Sequence, residues 1–515
     1  MPGGYVNRQR LLSRFGFLLT TVPLLLGCGC GGVRAIVPPT PATPAPLNTN
    51  NVNLIFVVSE DLAYNADGDI DATTANLTNQ GLQRALLMAP FLRGQVLGNK
   101  NVNGIYALEP MTHLQTSNNY PDMVALETIQ QFAQMNQITV YTDPVGTSQY
   151  TANSSAINTS YIPAQNLPGV SPLVICQGCQ GLDFNDTPDY TGMGDNESLV
   201  AGGAGVIAYD VPGFYVFSAP WETVSQLMAA INSIQGYNLT LPSSYQGPNY
   251  IYAISITPSG TASLVTYDTG ITPATTYPTL PSLKLTNTCT GGQAPMDITV
   301  TGGVNGTVPT GIATNMTMYM IRHAEAHPTQ WFEDGNYVAA GQWRALGLPQ
   351  ALAGKLVPAP TQVYSIDPAQ ESPSGYTNWS YVRPSLTAEP YVIANKLPYH
   401  LVSTLNIFQI PGSIVQSSQY FFNAPQFGNY PLLSQAPPNF SGETVLLAWE
   451  HAHFQPMINA LLESYHSSQT AVFWPDTDYD TIWTVKIDSA GNLSVDNKLC
   501  EGIDSAKLPE TAPTF

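Results

Sequence analysis

The chain has 515 residues, of which 43% are hydrophobic and 10% are charged, and its formal net charge is −19. A chain of this length exceeds one ordinary hydrophobic core, so two domains are expected. The negative charge excludes nucleic acid and anionic membrane surfaces as general partners, because both would be repelled.

The first 27 residues have the pattern of an export signal. Basic residues precede an apolar run from Phe15 to Leu26, which is too short to span a membrane. The run ends in LLGC, which resembles the lipobox of bacterial lipoproteins, in which the cysteine, here Cys28, is lipid-modified. A plain cleaved signal or a short membrane anchor is the alternative. We expect a bacterial envelope lipoprotein, periplasmic or at the cell surface, held to the membrane at Cys28 by a Pro-rich tether over residues 28–49.

Export would place the downstream cysteines in an oxidising compartment. Cys176 and Cys179 form an isolated CxxC, and Cys289 and Cys500 stand alone. A zinc site usually needs a second close pair of ligands, which the sequence lacks. We predict one disulfide within the CxxC and another between Cys289 and Cys500. Free thiols are the alternative.

Five blocks of the first half recur in the same order in the second half, which indicates a tandem duplication of one α/β domain. Each copy has a strand ending in a polar turn, a helix with the pattern G-x-x-R-A, a short strand, a strand followed by a helix, and a closing hairpin. The matched blocks are residues 53–62 and 316–325, 81–96 and 341–356, 103–110 and 361–368, 215–232 and 445–462, and 250–265 and 481–495.

The repeat divides the chain into two predicted domains that pack against each other. The first covers residues 50–268, with an insertion at about residues 141–200, and the second covers residues 315–508. The Thr-, Gly- and Pro-rich stretch 269–314 between them is predicted to be a linker. The alternation of strands and helices predicts three-layer α/β/α domains, with mostly parallel central sheets flanked by helices.

The second copy places cationic side chains after three of its predicted strands, where an α/β sheet usually presents reactive groups. Arg322 and His323 follow the first strand, Arg383 lies in YVRPSLTAEP, and His451 follows TVLLAW. The remaining arginine of this copy, Arg344, has a counterpart in the first copy, which suggests a structural role. Guanidinium groups bind phosphate oxygens well, and imidazole is a competent nucleophile near neutral pH. The pattern therefore indicates a phosphate pocket.

These motifs resemble those of the histidine phosphatase superfamily, the phosphoglycerate mutase-like enzymes. IRHAE is similar to the RHG-type signature, RPSLTAEP to the R-x-x-x-T-A segment, and VLLAWEHAHFQPMINAL to the second-histidine strand and helix, over residues 313–505. The resemblance implies a phosphoglycerate mutase-like fold and a phosphatase acting on phosphorylated small molecules. It implies that His323 is the nucleophile that forms a phosphohistidine and that Arg322, Arg383 and His451 bind the phosphoryl oxygens. No cofactor or metal is expected.

The sequence departs from the family at the group that protonates the leaving oxygen. Many members have a carboxylic acid after the R-x-x-x-T-A segment, but no Asp or Glu lies between Tyr391 and Gly442. The nearest substitutes are Glu450, Glu325, Glu333 and Asp334. General acid catalysis is typically worth about 10²- to 10⁴-fold. Without it, the chain should favour substrates with good leaving groups, or be slow.

Two further histidines, His327 and His453, lie near the motif histidines and are secondary candidates for substrate contact. Each could equally be a residue at the rim of the site. A non-catalytic envelope protein that binds phosphate or a phosphorylated ligand in the same pocket is the alternative function. A structural envelope protein is a third possible function.

The first copy lacks the cations of the second, and it is expected to be catalytically inactive. The aligned residues are Ser59 and Glu60 at the Arg322–His323 pair, Met123 opposite Arg383, and Glu222 at or near the place of His451. Neutral or acidic groups at these positions would repel phosphate.

Overall fold

The computed structural model describes residues 44–141, 148–161, 179–186, 195–280, 283–302, 308–309, 312–328, 334–370, 379–402 and 440–515. The predicted signal peptide, Cys28, Cys176 and Glu333 lie outside these residues. Within the described residues the protein is an α/β protein with two larger mixed sheets. None of the helices described there is long and apolar enough to cross a membrane.

The secondary structure follows the predicted alternation of strands and helices. The strands are β1 (Val52–Val58), β2 (Ile70–Asp71), β3 (Asn76–Leu77), β4 (Gly104–Ala107), β5 (Gln137–Tyr141), β6 (Gln149–Asn153), β7 (Gly213–Ala219), β8 (Tyr250–Ile256), β9 (Ala262–Asp268), β10 (Asp297–Val300), β11 (Met316–Arg322), β12 (Gln362–Ile366), β13 (Tyr399–Val402), β14 (Thr444–Trp449), β15 (Thr481–Ile487) and β16 (Leu493–Cys500). The helices are α1 (Asn79–Phe91), continued by a π turn (Leu92–Val96), α2 (Val124–Ala133), α3 (Asn196–Ala201), α4 (Val206–Tyr209), α5 (Trp221–Gln235), α6 (Ala339–Leu352), α7 (Arg383–Asn395) and α8 (Phe454–Ser464), with short 3₁₀ turns at His451–His453 and Ser505–Lys507.

The two larger sheets share one strand order. The first runs β4-β7-β1-β8-β9, and the second contains β12-β14-β11-β15-β16, with β13 and β10 at its edges. In each sheet the first three of these strands are parallel and the closing hairpin is antiparallel. The prediction of mostly parallel sheets therefore needs correction. A short hairpin reverses the chain, so its two strands have to pair antiparallel.

The central strands β1 and β11 are buried along their whole length, as a near-continuous apolar run predicts for a strand covered on both faces. Alternate residues of each strand enter different clusters. Ile55 of β1 and Ile321 of β11 join one cluster that the two predicted copies share, whereas Phe56 and Met320 join separate outer clusters. Each sheet therefore has a core on both faces, and the inner core is shared by the two copies.

The stretch 269–314, predicted to be a linker, forms part of the second sheet. Its strand β10 pairs antiparallel with β16, and Leu285 bridges to Ile503. A disulfide joins Cys289 to Cys500 with the Cα atoms 5.3 Å apart. Cys179 is also disulfide-bonded. The stretch is therefore fixed to the second copy by pairing and by a covalent link.

The G-x-x-R-A pattern has the same structural role in both copies. A Cβ at Gly81 would lie 2.3 Å from the Asp69 carbonyl oxygen, and one at Gly341 would lie 2.8 Å from the Tyr337 Cβ, so both helices need glycine for their close approach. Three residues later an arginine binds a carboxylate of the preceding loop. Nε of Arg84 lies 2.5 Å from Asp69. Arg344 binds Glu325, in the loop before its helix, in the same way.

The two copies are joined by polar as well as apolar contacts. The amides of Gln130 and Asn336 exchange hydrogen bonds of 2.8 and 2.9 Å. The carboxyl of Glu109, after β4, hydrogen-bonds Asp367, after β12; burial and this second carboxylate raise the pKa of Glu109 well above its ordinary value. The carbonyl oxygen of Pro513 accepts a hydrogen bond from Gln131 at 2.7 Å. Such contacts make the second copy part of one folding unit with the first.

We expect the free energy of unfolding to fall as the pH rises from about 4.5 to about 8. Burial raises the pKa of Glu389, on α7 against the first copy, from 4.5 to about 8, although Asn76 opposes the shift. The folded chain therefore keeps a proton that the unfolded chain releases. This contribution to stability is fully present below the pKa of Glu389 in the unfolded chain, 4.5. It falls by about 1.4 kcal/mol for each pH unit above that value until the folded pKa of about 8 is reached. Urea unfolding at several pH values measures the slope. Glu389→Gln should reduce the dependence of the free energy of unfolding on pH, and Glu463→Gln, at an exposed residue, should not. An unchanged slope in Glu389→Gln would show that Glu389 is not its cause.

Candidate active site

Two neighbouring parallel strands, β11 and β14, carry candidate residues at their carboxyl ends. Arg322 ends β11 and pairs with Trp449 at the end of β14. The main-chain N–H of His323 donates to the Trp449 carbonyl at 3.0 Å, and Glu450 and His451 follow directly. The parallel register therefore brings both histidine-bearing turns to one edge of the sheet.

The imidazole of His323 is buried and contacts an acceptor at each ring nitrogen. Nδ1 lies 2.8 Å from the carbonyl oxygen of Ala324. That oxygen can only accept, so Nδ1 carries the N–H. Nε2 lies 3.0 Å from Oε2 of Glu450. In the neutral ring Nε2 is then the lone-pair nitrogen, which is the one able to attack an electrophile.

One proton lies in the contact between Nε2 of His323 and Oε2 of Glu450, because the two atoms would otherwise face each other with lone pairs. Burial lowers the pKa of His323 to about 3; Glu450 opposes this shift, and the charges of Arg383 and Arg322 reinforce it. Burial raises the pKa of Glu450, but His323 and His451 lower it well below its ordinary value overall. The contact therefore holds one proton that belongs to the His323–Glu450 pair and not to one partner alone.

The Glu450 carboxyl links the two histidines. Its Oε1 lies 2.5 Å from Nδ1 of His451, and its Oε2 accepts a hydrogen bond from the Tyr381 hydroxyl. Nε2 of His451 lies 2.9 Å from Oδ1 of Asp476. The ring centroids of His323 and His451 are 6.4 Å apart in a T-shaped arrangement. Both imidazoles therefore face the same small space around the carboxyl.

Arg322 lies beside this space and is almost fully buried. Its Nη1 donates to the carbonyl oxygens of Asp476 and Asp478, and its guanidinium carbon lies 3.8 Å from the centroid of the Tyr479 ring. Among the residues that the structure describes, its Nε has no hydrogen-bond partner. A buried donor of this kind suits an anionic ligand.

Arg383 begins α7 on the Tyr381 side of the pocket. Its Nη1 donates to the Asn336 carbonyl at 3.3 Å, and its guanidinium carbon lies 4.9 Å from the Tyr381 ring centroid. The Tyr381 ring lies 6.1 Å from that of His323. The positive charge of Arg383 is near enough to lower the pKa of His323. The structure therefore gathers Arg322, His323, Arg383 and His451 around one centre.

Glu325, a candidate acid, is engaged elsewhere. Its two carboxylate oxygens accept hydrogen bonds from Nε of Arg344 at 2.8 and 3.0 Å, and Oε1 also accepts one from Ser505 at 2.8 Å. Its role is to anchor the loop after β11 to helix α6. Of the two candidate acids Glu325 and Glu450, Glu450 is the one that contacts His323.

His327 lies in a contact between the two copies. Its Nδ1 is 2.9 Å from the hydroxyl of Tyr150 in β6, and its Nε2 is 3.2 Å from Oδ2 of Asp334. Ser154 donates to the same carboxylate oxygen at 2.5 Å. Burial raises the pKa of Asp334, but His327 and Ser154 lower it below its ordinary value overall, so this carboxylate is not a proton donor. The contacts argue against substrate binding by His327 and give the inserted hairpin of the first copy a structural role.

His453, the other secondary candidate, is buried in the 3₁₀ turn after β14. Its main-chain N–H donates to the Glu450 carbonyl at 3.1 Å. Burial lowers the pKa of His453 to about 4, although Glu450 opposes the shift. The ring is therefore neutral at physiological pH and brings no positive charge to the pocket.

Three residues of the site were not predicted from the sequence. Tyr381 orients Glu450, Tyr479 stacks on Arg322, and Asp476 orients His451. Tyr381 lies two residues before Arg383, so the motif itself pointed to it. Asp476 and Tyr479 lie in WPDTDYDT, a segment with an acidic and aromatic composition but no recognised motif.

The backbone register corrects the alignment of the two copies by one residue. The N–H of Ser59 donates to the Ala219 carbonyl as that of His323 donates to Trp449. The structural counterparts are Ser59 for His323, Val58 for Arg322, Trp221 for His451 and Val124 for Arg383. The predicted alignment therefore places Ser59 and Glu60 one residue too early. Met123 directly precedes the residue that begins α2, and Glu222 lies next to the counterpart of His451, as expected. Neutral residues occupy all four places.

The fold and the site define an α/β protein with a buried cluster of histidine, carboxyl and guanidinium groups. No family model matches the chain, and none of the curated proteins matches its sequence. Several solved structures match part of this chain. A protein from Agrobacterium tumefaciens assigned as the phosphohistidine phosphatase SixA matches with 14% identity over 33% of this chain and 91% of its own, with a TM-score of 0.20. A mycobacterial glucosyl-3-phosphoglycerate phosphatase in complex with inorganic phosphate matches with 12% identity over 38% of this chain and 100% of its own, with a TM-score of 0.21. TM-scores this low support no conclusion about function, which has to be inferred from the geometry of the site.

Proposed function

We propose that the chain is a phosphatase that cleaves phosphomonoesters of small molecules through a phosphohistidine at Nε2 of His323. The environment of this nitrogen carries the proposal. A buried imidazole, fixed through Nδ1, shares a proton with the Glu450 carboxyl and lies beside two guanidinium groups. Phosphoryl transfer requires a positioned nucleophile, a proton donor and ligands for the charged oxygens. The sequence motifs that resemble those of the histidine phosphatase superfamily lie at these same residues.

In the first half-reaction, Nε2 of His323 attacks the phosphorus and the bond to the leaving oxygen breaks. Glu450 gives its proton to that oxygen. Arg322, Arg383 and His451 donate to the three remaining oxygens, over which the charge is spread. The Glu450 carboxyl has to rotate away from Nε2 first, because its Oε2, at 3.0 Å, occupies the space that the phosphorus needs.

In the second half-reaction, water attacks the phosphorus of the phosphohistidine. The ionised Glu450 accepts a proton from this water as the P–N bond breaks. Inorganic phosphate leaves, and the His323–Glu450 pair regains its shared proton. One carboxyl thus serves as acid and then as base.

Trapping the intermediate tests this proposal. The full-length chain is mixed with 4-nitrophenyl phosphate, quenched in alkali within milliseconds, and analysed for a phosphoramidate on His323 by mass spectrometry. We expect an alkali-stable, acid-labile phosphohistidine and a burst of nitrophenol of about one equivalent. Turnover without phosphohistidine, or no turnover of any phosphomonoester, would reject the mechanism. Tight binding of phosphate or vanadate without turnover would support the alternative, a phosphate-binding protein.

Glu450→Gln should separate substrates by their leaving groups. Hydrolysis of alkyl phosphates should fall about 10²- to 10⁴-fold. Hydrolysis of 4-nitrophenyl phosphate should fall much less, because nitrophenolate leaves without protonation. Glutamine keeps the size of the side chain and an acceptor for Tyr381. Steady-state kcat/KM on both substrates measures the difference, with Glu463→Gln as control; equal losses on both would mean that Glu450 is not the acid.

We also propose that the copies arose by duplication and that the first is non-catalytic. The shared strand order supports the duplication. The neutral residues at the four positions that correspond to the pocket support the loss of chemistry. Tyr150 and Ser154, which hold the His327–Asp334 pair, indicate that the first copy stabilises the loop beside the pocket.

We propose export and lipid attachment at Cys28 on the pattern of the N-terminus. The disulfide between Cys289 and Cys500 supports an oxidising compartment. Labelling of expressing bacteria with an alkyne-tagged fatty acid tests the attachment. Label in the wild-type chain that is lost in Cys28→Ser is expected, and an unlabelled wild-type chain would reject it.

A further inference from the structure

We infer that His323, Glu450 and His451 form a site for a divalent transition-metal ion, best suited to Zn²⁺, and that the bound ion blocks the phosphatase site. One ligand atom of each residue lies within 4.8 Å of the other two, and all three side chains are buried. The inference that a metal ion binds rests on this geometry alone. The inhibitory effect rests on the proposed function.

The donor set suits zinc. Two imidazole nitrogens and one carboxylate oxygen are ligands that Zn²⁺ accepts, and three protein ligands leave a position open. Nε2 of His323 lies 3.0 Å from Oε2 of Glu450, and Nδ1 of His451 lies 2.5 Å from Oε1. Tetrahedral zinc with bonds of about 2.0–2.2 Å separates its ligand atoms by about 3.3–3.5 Å. The two contacts with Glu450 have to lengthen by at most about 1 Å, and the ligand atoms, all within 4.8 Å of one another, approach by at most about 1.5 Å where they are farther apart.

Each proposed ligand is oriented by a second group, as is usual in metal sites. Nδ1 of His323 donates to the Ala324 carbonyl, and Nε2 of His451 lies 2.9 Å from Asp476. The Tyr381 hydroxyl donates to the Glu450 carboxylate. The outer partners leave Nε2 of His323 and Nδ1 of His451 directed at the carboxyl between them. The site therefore has its ligands and their outer contacts already in place.

Electrostatics makes this an exchangeable site. The charges of Arg322 and Arg383 oppose a cation, which weakens binding relative to a dedicated structural zinc site. The net charge of −19 attracts cations to the protein as a whole. An ion bound to Nε2 of His323 occupies the lone pair that attacks phosphorus. Zn²⁺ and phosphoester turnover therefore exclude each other.

Cobalt binding to the full-length, chelator-treated chain tests the site, because Co²⁺ accepts similar ligands and absorbs visible light. We expect visible bands that saturate at one equivalent and are displaced by Zn²⁺. Asp476→Asn, at an exposed residue whose change spares the fold, should weaken binding about 10- to 100-fold. Glu450→Gln should weaken it further. His466→Asn, at an exposed histidine outside the cluster, is the matched control and should bind as the wild type.

Three outcomes would overturn the inference. The first is a chain without cobalt bands. The second is binding that survives in Asp476→Asn and Glu450→Gln but falls in His466→Asn. The third is Zn²⁺ that leaves 4-nitrophenyl phosphate hydrolysis unchanged or raises it at concentrations that displace Co²⁺. Cobalt bands in a chain with no phosphatase activity would reject the proposed function and support the metal site.

Discussion

The His323→Asn chain should lose at least about 10³-fold in kcat for 4-nitrophenyl phosphate and form no phosphohistidine. Asparagine keeps a polar side chain that can donate to the Ala324 carbonyl, but it has no nucleophilic nitrogen. The residual rate would come from phosphate binding and charge compensation by the arginines. Steady-state hydrolysis by the full-length chain measures the loss.

The control for this variant is the same substitution at the exposed His466, which has a positive φ of 56° that asparagine tolerates. His466→Asn should retain the wild-type rate. His323→Asn should still be stabilised against heat by inorganic phosphate, because Arg322 and Arg383 remain. A variant that turns over within about threefold of the wild type would show that another group accepts the phosphoryl.

The gathering of three of the four nitrogen-bearing side chains could be predicted from local sequence. Apolar runs of MTMYMIR and TVLLAW predict buried neighbouring strands, and parallel strands bring their carboxyl ends to one edge. Arg322, His323 and His451 follow these strands directly. The position of Arg383 in the site could be predicted only from the resemblance to a family motif. Nothing in the sequence tells where the first residue of a helix lies relative to the edge of the sheet.

The identity of the proton donor could not be predicted, because it depends on which carboxylates are already engaged. Glu325 is bound by Arg344 and Asp334 by His327. The second of these pairs is held by Tyr150, 177 residues away in the chain. Among the candidate carboxyls that the structure describes, Glu450 is the one that contacts His323. Pairing over such distances follows from the packing of the two copies, which no local pattern encodes.

The one-residue error in aligning the copies has a similar cause. VNLIFVV and MTMYMIR are both apolar throughout, so sliding one along the other changes little in the pattern. Register is fixed by pairing with neighbouring strands. The contact of Ser59 with Ala219 and that of His323 with Trp449 settle it in the structure.

Arg344→Met should destabilise the folded chain by about 3–5 kcal/mol. The guanidinium of Arg344 is fully buried and binds the carboxylates of Glu325 and Glu501 and the carbonyl oxygen of Ile503. Burial raises the pKa of Glu501 to about 8 even though Arg344 lowers it. Without the arginine, both carboxylates lose their counterion in the interior, and each has to be protonated or hydrated at a cost.

Urea unfolding at pH 5 and pH 8 measures this effect, with Lys498→Met as the control. Lys498 pairs with Asp297 at the surface, where both side chains are more than half exposed, so its loss should cost at most about 1 kcal/mol. The loss of folding free energy in Arg344→Met should be smaller at pH 5, because the carboxyls of Glu325 and Glu501, left without the arginine, accept protons more readily at that pH. Adding Glu501→Gln should recover part of the loss. A cost below about 1 kcal/mol at both pH values would mean that the loop carrying His323 is anchored by other contacts, and that the G-x-x-R-A arginine is not the structural link between the catalytic turn and helix α6.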